Sequence, residues 1–435
     1  MRSMGRYRAY LVCLIASCGS PAAMPDAPTN DASGARDARA IDAAVHSASV
    51  ELSGASPANV SVVFGNGSAM QEVALGADGT AEADIAPDAS ITLVIRGSGS
   101  VAASMISVLG AQPGDHLRLD FTNPDTSSAG AFTVAFTPLA DPTLSYEAHG
   151  PCGFAQTTTS PALLQMRNDC VTPTMDLLVV ALDATSTPVG YTHLPDVAFV
   201  AGGSATLPAA FTPAFAFDAS FTDLGEVASF FVERVVPAST FGFDASGMVT
   251  VAGSAASFGS ASVSGAAHAT IETVFTPTDA TLGRQQIVDV IDGAAPSYAL
   301  DVDARLLGWL GSASFEVTTE HMTIPVDTSH TSADPSDLTY TIFANRRGST
   351  GTTFAWTVFT ATPAGFTLPP LPPDLSDLLP QAGDAVTDIN VISIESDGVA
   401  GYDVARQAPV ALLGFLAAPH LLPAGTTRLR ITSGL

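Results

Sequence analysis

The chain has 435 residues, 42 acidic against 16 basic, for a formal net charge of −26. Every basic residue is an arginine, and charged residues make up only 13% of the chain, about half the usual share. A charge of this sign repels nucleic acid and anionic headgroups, which both bind through cationic contacts, so nucleic acid is excluded as an expected partner.

The N-terminus carries Arg2, Arg6 and Arg8, then a short apolar run from Tyr10 to Ala16, then Ala16-Ser17-Cys18. The run is too short to cross a bilayer, which takes about 20 apolar residues. The order of charge, apolar run and small residues is that of a secretory signal. Ile15-Ala16-Ser17-Cys18 also resembles the lipobox of bacterial lipoproteins. That resemblance implies cleavage before Cys18 and acylation of its thiol (palmitate-type chains) and of the new amine, with the lipid bilayer as partner. Gly19 stands where that family's inner-membrane retention signal has aspartate, which points to the outer membrane. The alternative is an ordinary secreted protein with an incidental cysteine. Cleavage removes three arginines and no acids, leaving 13 against 42, a net −29.

Residues 18–46 carry no sizeable apolar side chain except Met24, Ile41 and Val45. Such a stretch cannot bury enough surface to offset the entropy of ordering it. A disordered tether of this length reaches about 30 Å.

The remainder is expected to be all-β. Ser61 to Phe64, Ile91 to Ile95 and Phe132 to Phe136 are β-branched or aromatic runs bounded by turn residues. Asn66-Gly67, Asp78-Gly79, Ser246-Gly247 and Asp397-Gly398 read as turns. Thirty prolines argue against long helices. Tandem β-sandwiches are therefore predicted, two to four domains in all.

Residues 47–141 form the first of these. Strands run through Gln71 to Leu75, Ala81 to Ile85 and Met105 to Leu119, with Gln112-Pro113-Gly114-Asp115 as the turn of the last. This order resembles the carboxypeptidase-regulatory or transthyretin-like modules of exported proteins, which implies a small, non-catalytic sandwich. Residues 142–217 carry Cys152 and Cys170, an even pair in an oxidising setting and expected to be bonded; free thiols or a metal site are the alternatives. Met175 to Leu182 is apolar on both faces, as a doubly covered central strand would be. Residues 218–435 form the C-terminal β region, split near 320 unless Trp309 and Trp356 share one core. It includes Leu368 to Pro373, expected as extended polyproline II, and a short helix around Asp374 to Leu379. The whole layout resembles acidic lipoproteins of GC-rich Gram-negative bacteria such as myxobacteria, which implies an address and no activity.

Chemistry is sparse. Nucleophile-elbow, zinc-protease, phosphate-loop and dinucleotide motifs are all missing, and no cofactor is expected. Asp115-His116 is adjacent in a strand and so points to opposite faces. Asp301 and Asp303 would share a strand face and, with Asp289 and Asp292 nearby in sequence, are weak calcium candidates against a solvated face. Phe230-Phe231, Tyr402, Trp309 and Trp356 could line a ligand platform or fill cores.

These readings favour a non-enzymatic, outer-membrane-anchored lipoprotein that binds, adheres or supports at the cell envelope, with an envelope protein or glycan as partner. The alternatives are an envelope hydrolase acting on glycan through Asp301 and Asp303, and an assembly scaffold docking through Leu368 to Pro373.

Overall fold

The computed structural model describes residues 47–433 apart from 55–58, 98–100, 122–124, 152, 170, 237–242, 265–267, 328–336, 349, 364, 400 and 410–425. Cys18, the tether, Cys152, Cys170 and the apolar run from Val410 to Ala418 lie outside the described residues. The fold is all-β, a set of tandem sandwiches.

The first seven strands are β1 (Ser47–Ser53), β2 (Val60–Asn66), β3 (Ala69–Ala74), β4 (Thr80–Asp84), β5 (Ala89–Arg96), β6 (Val101–Ala111) and β7 (His116–Asp120). Asn66-Gly67 closes the β2–β3 hairpin and Asp78-Gly79 leads into β4, with Gly67 and Gly79 at φ +63° and +80°. In β4 the alternation is clean: Ala81 and Ala83 are buried while Thr80, Glu82 and Asp84 face water. In β2, Val62 and Phe64 enter one core and Val63 another, so this strand is covered on both faces.

Eight strands follow: β8 (Ser128–Ala135), β9 (Ser145–His149), β10 (Phe154–Thr157), β11 (Ala162–Arg167), β12 (Thr174–Leu182), β13 (Pro188–Ala198), β14 (Ser204–Thr206) and β15 (Thr212–Pro213). They form sheets in the orders β10-β9-β12-β13-β15 and β11-β8-β14. Phe132, Tyr146, Leu164, Leu177 and Val179 fill the space between them. β8 was expected in the first sandwich. It pairs with β11 and β14 instead, and Phe132 and Val134 drop into this second core. β12 is the central strand its sequence predicts: Leu177, Val179 and Ala181 serve that core, and Leu178, Val180 and Leu182 a separate one.

The third sandwich comprises β16 (Phe215–Thr222), β17 (Val227–Val236), β18 (Phe243–Thr250), β19 (Ala255–Ser262), β20 (His268–Pro277), β21 (Arg284–Asp292) and β22 (Ser297–Asp301). Sheet β19-β16-β22 packs on β18-β17-β20-β21 over Phe221, Phe230, Phe275 and Trp309. Ser246-Gly247, expected as a turn, lies inside β18. A Cβ on Gly247 would sit 2.7 Å from the Phe258 ring, so this glycine permits close approach within a strand.

The chain ends with β23 (Ser314–Glu316), β24 (His321–Thr323), β25 (Leu338–Arg346), β26 (Thr353–Thr360), β27 (Phe366–Thr367), β28 (Ala385–Ser396), the single-turn helix α1 (Tyr402–Ala405) and β29 (Thr426–Ser433). These strands do not stand apart from the N-terminal sandwich. One twelve-stranded sheet runs β18-β17-β20-β21-β29-β28-β25-β26-β6-β5-β2-β3. All its pairings are antiparallel except the seam between β6 and β26.

Sheet β4-β1-β7 covers one face of its middle, over Phe64, Leu93, Tyr340 and Ile394. The other face takes sheet β23-β24-β27 and the proline-rich passage, over Phe343, Trp356 and Val391. Trp309 and Trp356 thus occupy different cores, and it is the shared sheet that joins the C-terminal segments.

Candidate functional site

The outer face of sheet β4-β1-β7 holds an ordered polar row. β1 and β7 run parallel, which sets Ser49 beside His116 and Glu51 beside Arg118; the antiparallel partner β4 sets Glu82 beside Ser49. The hydroxyl of Ser49 lies 2.7 Å from Nδ1 of His116, and Nε2 of His116 lies 3.1 Å from Oε2 of Glu51. Arg118 Nε approaches the same carboxylate at 3.6 Å. Ser47 donates to Glu82, and Ser53 to Asp120.

If Ser49 donates to Nδ1, the proton on Nε2 points at Glu51. The row then has the hydroxyl–imidazole–carboxylate order of an activated nucleophile. Its surroundings do not complete one. The face is open to water, and the Ser49 amide donates to the Asp115 carbonyl at 2.9 Å, so it is not free to hold an oxyanion. What the row can do is present paired hydroxyls and carboxylates in fixed register to a polar ligand.

Asp115 and His116 point to opposite faces, as adjacency requires. His116 joins the outer row, while Asp115 turns inward onto Arg406. Sequence reasoning passed over Ser49 and Glu51, and an i, i+2 pair on an alternating strand was the signal that could have found them.

The other sequence candidates are placed differently. β22 ends at Asp301, and Asp303 sits in the following turn, so the period-two alignment fails there. Asp301 Oδ1 accepts the Ala304 amide. Asp289 is committed to Tyr298 and, at 2.8 Å, to Arg305. Among the described residues no group of three or more His, Cys, Asp or Glu side chains could hold a metal ion.

Leu368, Leu371, Leu375 and Leu378 are all buried in the core around Trp356, and Ser376–Leu378 forms the short helix, as a 3-10 turn. The passage that was to dock a partner is therefore internal packing. Phe230, Trp309 and Trp356 are likewise buried, which removes the aromatic platform.

Arg234 and Arg430 escaped the sequence altogether. Arg234 is fully buried between the rings of Phe215 and Phe217. It donates to Ser262 Oγ and to the carbonyls of Val263 and Gly293. Burial lowers both guanidinium pKa values to about 10.

The fold defines an all-β chain of tandem sandwiches, with one long sheet running through the first, the third and the C-terminal strands. No family model matches the chain, and no curated protein matches it either. Solved structures do. The Bacillus anthracis TIE protein is 12% identical over 59% of this chain, with a TM-score of 0.15; the chain spans half of that protein's length. A streptococcal ancillary pilin is 7% identical over 59% of this chain and 98% of its own, with a TM-score of 0.17. The FN1–FN3 domains of chicken CNTN1 are 8% identical over 55% of this chain and 90% of their own, with a TM-score of 0.13.

Proposed function

We propose that this chain is a non-enzymatic envelope lipoprotein, held at the outer membrane by acylated Cys18 and presenting a rigid β body for binding or structural support. The observation that carries this reading is the N-terminal order of basic residues, short apolar run and Ile15-Ala16-Ser17-Cys18, followed by a polar stretch that ends where β1 begins at Ser47. Two or more acyl chains give stable anchoring where one gives only marginal binding. The polar face of sheet β4-β1-β7 is the surface best suited to a polar partner such as an envelope glycan.

The hydrolase alternative loses its paired carboxylates, because Asp303 leaves the strand face. The scaffold alternative loses its docking segment, because Leu368 and Leu371 are core.

Metabolic labelling of the full chain with a palmitate analogue tests the anchor. Label on the native chain, lost with release from membranes in Cys18→Ala, is the expected result. An unlabelled native chain, or Cys18→Ala still in the membrane fraction, overturns it. A glycan array probed with the released body tests the binding role; hits abolished by Glu51→Gln and Glu82→Gln together are expected.

A further inference from the structure

The second and third sandwiches meet through a small apolar contact: Leu178, Val180 and Leu182 of β12 against Val263 and Ala269, with Tyr191 and Ile291 at its edge. The strand registers surround it with titratable groups. His149, Leu178 and His193 form one cross-strand row over β9, β12 and β13, and Glu147, Val180 and Tyr191 form the next. Two imidazoles therefore flank the central leucine of the contact.

A carboxylate lies near each imidazole. Glu147 lies 3.5 Å from Nε2 of His149, and Asp176 lies 3.8 Å from Nε2 of His193. The buried Nε2 of His193 makes no hydrogen bond. From the third sandwich comes Arg234, a buried cation whose charge reaches Tyr191 and which grips the Val263 carbonyl beside the contact. His268 and Asp292 face each other at the ends of β20 and β21, one residue from Ala269 and Ile291.

We infer that this contact is a pH-sensitive junction, closed over a neutral His193 imidazole and opened when His193 takes up a proton. A proton taken up here must be held in an apolar contact that already faces a buried guanidinium. In the opened form the same proton is solvated by water. Desolvation holds His193 below the ordinary histidine value, against the opposing pull of Asp176.

The sign follows from that depression. The closed form binds fewer protons than the open one, so its stability is intact at neutral pH and falls as pH drops below about 6.5. The inference stands on the contact itself and is independent of where the chain is anchored.

Hydrogen exchange of the full chain, corrected for intrinsic rates, reads the junction directly at the amides of Leu177–Leu182 and Ala269–Ile271. Protection there is expected to fall severalfold between pH 7.5 and 5.5, while the Trp356 core keeps its protection. In His193→Gln the profile should be flat. His268→Gln serves as the control at the same end and should respond like the native chain. Unchanged protection in the native chain, the same loss in His193→Gln, or loss of the response only in His268→Gln would overturn the junction. If His193→Gln fails to fold, His193→Asn decides.

Discussion

Arg406 donates from Nε and Nη2 to the two carboxylate oxygens of Asp115, at 2.7 and 3.0 Å, across 291 residues of chain. Both side chains are buried. Asp115 stands at the turn before β7 and also accepts the Gln112 amide. Arg406 follows α1, whose Tyr402 hydroxyl donates to the carbonyls of Leu109 on β6 and Phe359 on β26. Those two strands form the parallel seam of the long sheet. One turn of helix thus clamps the place where the N-terminal and C-terminal parts of the chain are joined.

Removing either partner of this clamp should be costly. Arg406→Ala leaves the Asp115 carboxylate buried without its cation, and a loss of about 3–5 kcal/mol is expected. Asp115→Ala should cost a similar amount, and the double variant much less than the sum of the two. Urea unfolding followed by tryptophan fluorescence measures all three. Additive losses would mean that the pair is not coupled.

The proline-rich passage makes a second prediction. Leu371→Ala opens a cavity in the core beside Trp356 and should destabilise the chain by about 2–5 kcal/mol. Pro370→Ala, at an exposed position of the same passage, should cost well under 1 kcal/mol. A thermal melt of the two variants separates internal packing from a free docking segment, for which neither change would matter.

Asp384 gives the acid limb of the stability curve. Burial pushes its carboxyl up, but the amides of Gln381 and Gly348, the side chain of Asn345 and the Arg347 guanidinium together hold it below the ordinary range. A carboxylate with a depressed native pKa contributes stability above the unfolded value of about 3.9 and loses it as pH falls through the native one. Asp384→Asn should therefore lower the melting temperature at pH 7, and the gap to the native chain should narrow as the pH falls below about 3.9. A gap that stays constant with pH would rule out the charge as the cause.

Much of the fold was legible because β-strands announce themselves locally. The runs around Val62 and Leu93 read as strands, the run around Val179, apolar on both faces, as a strand covered on both sides, and the Asn66-Gly67 and Asp78-Gly79 turns fell where they were read. The parallel seam of β6 and β26 was not legible, since its partners are about 250 residues apart and the pairing lies in no local pattern. Ser246-Gly247 misled because glycine serves close approach as well as turns. The polar face showed the reverse problem: Ser49 and Glu51 are unremarkable alone and acquire a partner only when β7 arrives alongside. Buried arginines such as Arg234 and Arg406 carry no sequence mark at all, because what buries them comes from distant strands.

The cysteine pair supplies the last prediction. Gly150 donates to the Gly153 carbonyl at the β9–β10 turn, and a Cβ on Gly153 would sit 2.8 Å from Sδ of Met166 on β11. Gly153 thus lies against β11. Peptide mapping of the native protein under non-reducing conditions should yield a fragment linking Cys152 to Cys170. Cys152→Ser/Cys170→Ser should lower stability by about 3 kcal/mol, the chain-entropy value for a loop of this size. The native chain under reductant should lose the same amount. Two alkylatable thiols in the untreated native protein would show that the second sandwich holds together by its core alone.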